Sequence, residues 1–95
     1  MANRKEYIDK LTIQLREWDK EIDTLEAKAE KAKADAEADY QNQLQELRSK
    51  RLAVETRVKK IQNAGEDAWE DLKTGTEEAV DAMKKAMSSA ISKFK

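Results

Sequence analysis

With 95 residues, 39% of them apolar, 41% charged and 5% aromatic, the chain forms one domain at most and has too little apolar volume for a broad core, though enough for a narrow seam between helices. Nineteen basic residues nearly balance twenty acidic ones, so the net charge of −1 gives no global attraction to nucleic acid. The lack of cysteine and histidine removes disulfides, thiolate nucleophiles, imidazole bases and nearly every zinc site. Unfolded chains share this composition, but here the charges alternate in sign along helical faces, which favours folded helix.

The N-terminus runs from Met1 through Arg4, Lys5 and Glu6 into charged helix without an apolar stretch, and no window is long and apolar enough to span a bilayer. A cytoplasmic location is expected. From Asn3 to Gln62 there is neither proline nor glycine, and the spacing predicts one helix over 3–62. Ile8, Leu11, Leu15, Trp18, Ile22, Leu25, Ala29, Ala32 and Ala36 follow steps of three and four, the seam of a left-handed coiled coil. The seam resumes at Tyr40, Leu44, Leu47, Arg51, Val54, Val58 and Ile61, after a run of fours from Ala32 to Leu44 that shifts the register and locally relaxes the supercoil. Residues 26–38 are nearly all strong helix formers and lack glycine, proline and serine, so continuous helix is expected through them.

Gln62-Asn63-Ala64-Gly65 is the one clear stop. Gly65 is suited to a left-handed cap, and Arg57, Lys59 and Lys60 place positive charge at the last turn. A turn at 63–66 and a second helix over 66–94 follow, opened by the acids Glu66, Asp67, Glu70 and Asp71 and carrying Trp69, Leu72, Thr76, Val80, Met83, Met87, Ile91 and Phe94 on an eleven-residue period. Gly75, inside that helix, marks a weak point or a place where another helix passes close.

Folding the second helix back puts Trp69 near Ile61, Leu72 near Val58, Thr76 near Val54, Met83 near Leu47, Met87 near Leu44, Ile91 near Tyr40 and Phe94 near Ala36. Charge supports this antiparallel orientation. Residues 66–81 hold seven acids and one lysine and would run beside Arg48, Lys50, Arg51, Arg57, Lys59 and Lys60. Residues 82–95 hold four lysines and no acid and would lie beside Glu30, Asp35, Glu37 and Asp39. Such exposed pairs select direction more than they add stability. The hairpin leaves Ile8, Leu11, Leu15, Trp18, Ile22 and Leu25 uncovered, and an apolar stripe of that length implies association, most economically as a homodimer or higher homo-oligomer.

The run Gly65-Glu-Asp-Ala-Trp-Glu-Asp-Leu-Lys-Thr-Gly-Thr-Glu and the ending Ser92-Lys-Phe-Lys95, behind a Glu/Lys/Ala-rich helix with Ala38-Asp-Tyr and Leu44-Gln-Glu-Leu-Arg, resemble small bacterial proteins known only as coiled-coil domain-containing. The resemblance spans nearly the whole chain. It implies a bacterial source and a helical rod, and supplies no site residues.

Trp18, Trp69, Met83 and Met87 sit on helical stripes and read as core packing rather than ligand platforms. The acids at 66–71 lack the alternating ligands and central glycine of a calcium loop, and a rod offers no pocket to tune paired carboxylates. No catalytic, cofactor or metal residues are assigned, and no enzyme activity is expected. The expectation is an all-α, elongated helical hairpin, assembling into an oligomeric bundle and acting as a structural or adaptor protein with itself or a protein partner. The alternative is a peripheral lipid-binding or stress-protective amphipathic protein using Met83, Met87, Ile91 and Phe94 on a membrane surface.

Overall fold

The computed structural model describes residues 3–94; Lys95, one of the four C-terminal lysines, lies outside them. Three helices follow one another: α1 (Arg4–Glu30), α2 (Ala34–Asn63) and α3 (Lys73–Lys93), with a single 3-10 turn at Glu70–Leu72 before the last. The described residues contain no strand. They fill an envelope of 51 × 18 × 17 Å, about the length of α2 alone at roughly 1.5 Å per residue.

Asn3 starts α1, its side-chain oxygen accepting from the backbone N–H of Glu6 at 2.8 Å, which satisfies one of the free donors of the first turn. The helix then stops at Glu30, where a continuous helix was expected. Lys31 and Ala32 close the last turn with tighter bonds to the carbonyls of Lys28 and Ala29, and Lys33 turns extended, with φ −66° and ψ 153°. The carbonyl of Lys33 receives the N–H groups of Ala36 and Glu37, and α2 begins.

The expected helix over 3–62 is therefore two antiparallel helices, and the reason lies outside the turn. Leu11, Leu15, Trp18, Ile22 and Leu25 are each 8% exposed or less, and burying five such side chains is worth roughly 10 kcal/mol. Interrupting the helix forfeits a few backbone bonds worth about 1 kcal/mol each. Burial wins. The turn falls where the seam changes register, among alanines small enough to let two helix backbones draw close.

At the other end α2 stops after Asn63, close to the expected position, but not through a left-handed glycine. Ala64 is extended, with ψ 155°, and among the described residues none, glycine included, has positive φ. Nothing in the structure requires glycine at 65. Its carbonyl accepts from the N–H groups of Ala68 and Trp69, starting a run of turns that ends in the 3-10 turn. Regular α-helix begins only at Lys73, later than the expected start at 66. Thr76 is fully buried, and its hydroxyl donates to the carbonyl of Leu72 at 2.9 Å.

The helix α2 is central, packing closely against α1 on one side and α3 on the other. One apolar cluster runs through all three helices, from Leu11 to Phe94.

Candidate functional site

The stripe expected to bind a second copy is occupied within the chain. Leu11, Leu15, Trp18, Ile22 and Leu25 belong to the buried core, and Ile8 is half-buried against it. The premise that this surface is bare is corrected: α1 folds back and covers it with α2 and α3.

The expected seam between α2 and α3 holds at most positions. Leu44, Leu47, Val54, Val58, Ile61, Trp69, Val80, Met83, Met87 and Phe94 are buried, and Tyr40 and Leu72 are half-buried. Ile91 is not in the seam; it is 42% exposed, and Ala90, fully buried, occupies the place. At about 100° per residue Ala90 and Ile91 fall on opposite sides of the line through Met87 and Phe94, and Ile91 takes the side that lies beside Leu25 of α1. The C-terminal register also differs from expectation. Phe94 stacks on Tyr40, the residue expected to face Ile91, with ring centroids 4.2 Å apart and planes 25° from parallel. Gly75 is a place of close approach, since a Cβ there would sit 2.9 Å from Nη1 of Arg57.

Charge pointed to the right orientation through pairs that do not form. Among the described residues the cations of α2 pair with α1 or along α2 itself, and no ion pair joins α2 to α3. Arg51, which interrupts the apolar stripe of α2, donates from Nη2 to Oδ2 of Asp19 of α1 at 3.0 Å, with its Nε in ionic contact 2.7 Å from Oδ1. The charge-assisted bond holds the two side chains together. Arg51 also pairs with Glu55, and Arg48 reaches Glu26 at 2.7 Å. Burial alone would lower the pKa of Arg51, but its bonds to Asp19 and Glu55 and their charges reverse this, and the net shift is upward.

Two clusters escaped the sequence. Arg4 donates to the carbonyl of Ala64 and lies 3.2 Å from Glu66, tying the start of α1 to the link between α2 and α3. Nothing in a pattern of apolar spacing signals a contact sixty residues apart. Next to it, Tyr7 and Trp69 meet with ring centroids 5.9 Å apart, and the Lys73 ammonium lies 5.3 Å and 5.4 Å from the two centroids. A cation held over two aromatic faces favours this arrangement. The Tyr7 hydroxyl is enclosed without a hydrogen-bond partner; burial and then the charge of Glu77 push its pKa upward.

Where α1 and α3 run side by side they approach less closely than either approaches α2. A surface groove of about 450 Å³ opens between them, with Leu11 and Val80 at its base and Lys10, Glu77, Asp81 and Lys84 along its rims. A second depression, of about 230 Å³, continues the same face beside Leu25 and the exposed Ile91, rimmed by Lys20, Glu21 and Lys28. Chemically this face offers a thin apolar line between charges of both signs. Among the described residues no helix is long and apolar enough to cross a membrane. The chain matches no protein-family model, no curated protein and no solved structure.

Proposed function

We propose that the protein is a structural or adaptor-like module with no catalytic role, acting in the cytoplasm through contacts between its helices and other helices, its own copies included. The observation that supports this is the face shared by α1 and α3, where Leu11, Leu25, Val80 and the exposed Ile91 form an apolar line flanked by charged rims. An amphipathic helix fits such a line with its apolar residues inward and its charges against the rims. Lipid binding through Met83, Met87, Ile91 and Phe94 has less behind it, because Met83, Met87 and Phe94 are buried and line neither the groove nor the depression beside it.

A photo-crosslinking side chain placed at Ile91, with the same group at Leu52 as control, tests the reading in the protein's native cells. Leu52 is 58% exposed and lies away from the groove, beside α1 and α2. Adducts from position 91 whose crosslinked peptide is a helical segment of a protein are expected. Adducts no more abundant than those from position 52 overturn the proposal.

A further inference from the structure

The turn at Lys31–Lys33 separates two helices whose apolar positions are phased as though they were one. At about 100° per residue, the buried residues of α1 and those of α2 fall within a single sector of roughly 100° when one helix is drawn straight through the turn. Leu11, Leu15, Trp18, Ile22, Leu25 and Ala29 lie on that line before the turn, and Leu44, Leu47, Val54, Val58 and Ile61 after it. Two helices joined by a turn have no need of a shared phase. The turn itself lacks the usual devices of a committed stop: Lys31 ends α1 in right-handed conformation, Lys33 opens α2 without a side-chain cap, and no glycine or proline is present.

We propose that Lys31–Lys33 is a hinge for domain exchange, at which α1 and α2 of one copy fuse into a helix over 4–63 and α1 docks on α2 and α3 of a second copy. This goes beyond the groove reading, because it uses the interior of the fold and the partner is the chain itself. The geometry closes on a two-fold axis. Within the chain, position 19 faces 51, 26 faces 48 and 4 faces 64, pairings centred on positions 35, 37 and 34. Two fused helices set antiparallel in that register cross near Ala36 and form every one of those contacts between copies instead of within one. Ala29, Ala32 and Ala36 are the stripe residues at the crossing, small enough for the backbones to meet. Lys33 would lie beside the partner's Glu37, replacing solvent with an opposite charge. The exchange leaves the core contacts unchanged and adds helical bonds across 31–33, so its extent follows protein concentration.

Wild-type protein refolded from denaturant at high concentration and examined by size exclusion with light scattering is expected to yield a species of twice the 10.9 kDa chain mass. Small-angle scattering from that species should extend to roughly 90 Å at about 1.5 Å per residue, against 51 Å for the closed chain. Lys33→Pro fits the present backbone, where φ is −66°, and forbids a helix through the turn; it should remain a folded monomer at all concentrations. Mixing Asp19→Arg with Arg51→Asp gives a second test that does not depend on Lys33→Pro folding. Exchange restores both ion pairs only in the mixed dimer, so refolding the two together should place more than half of the dimer in the mixed species by native mass spectrometry. The proposal is overturned by wild-type protein that stays monomeric after concentrated refolding, or by a mixed species at the random half. A dimer that persists in Lys33→Pro overturns it too; one lost instead in Ile91→Glu belongs to the groove.

Discussion

Arg51 shows how one side chain settles an interface that apolar spacing leaves open. It occupies a stripe position of α2, where a leucine would extend the seam, and its ion pair and hydrogen bond with Asp19 fix the register of α1 against α2. Glu55, one turn along, is held below the usual carboxylate pKa by hydrogen bonds from Lys59 and Arg51 and by the charge of Arg51. A lowered folded-state pKa contributes stability that is present above the ordinary glutamate pKa and is lost as pH falls through the folded value. Thermal melts followed by circular dichroism should therefore show wild-type stability dropping through the carboxylate range, with a smaller drop in Glu55→Gln. Tyr7 has the opposite sign. With its pKa raised by burial and Glu77, its contribution is complete below the ordinary tyrosine pKa and disappears as pH rises beyond it, so Tyr7→Phe should flatten the alkaline limb of the same curve. At Gly75 the atom nearest a new Cβ is the far end of the Arg57 side chain, which can move aside. Gly75→Ala should stabilise the fold by up to about 1 kcal/mol through helix propensity, read as a shifted urea midpoint.

At the scale of the element, α1 is held by its apolar edge, and its ion pairs set register. Trp18 is 3% exposed, and Trp18→Ala should cost about 3–5 kcal/mol in urea unfolding. Leu15→Glu, which would merely dissociate an oligomer if the stripe were external, is expected to unfold the monomer, because a charge there would be buried among Leu11, Trp18 and the residues of α2 and α3. Loss of cooperative helix signal in that variant checks the placement of α1. The α1–α2 turn itself was legible in part: Lys28 and Lys31 stand where the last carbonyls of α1 are free, and Asp35 and Glu37 in the first turn of α2. This is the same cationic-then-acidic order that marks the stop near Asn63. Without glycine or proline beside it, such an order is outweighed locally by the helix propensity of the alanine-rich segment.

For the molecule as a whole, the closed chain is a bundle 51 Å long with a radius of gyration of 15.3 Å. Small-angle scattering of the monomer at low concentration should give a maximum dimension close to the first figure. A value near 90 Å would mean that α1 and α2 are one helix. The groove between α1 and α3 exists only because both pack on α2 more closely than on each other, so it is a property of the assembled bundle and of no single element.

The all-helical class, the stop near Asn63, the antiparallel sense of α2 and α3 and nearly all of the residues between them were contained in the order of amino acids, because helix propensity, apolar period and end charges act over one or two turns. The fold of α1 onto its neighbours, the pairing of Arg51 with Asp19 and the clasp of Arg4 and Tyr7 on the α2–α3 link were decided by tertiary structure. They join residues thirty to sixty positions apart, and whether the stripe of α1 is covered by its own chain or by another copy depends on burial summed over the whole assembly, a quantity no local window contains.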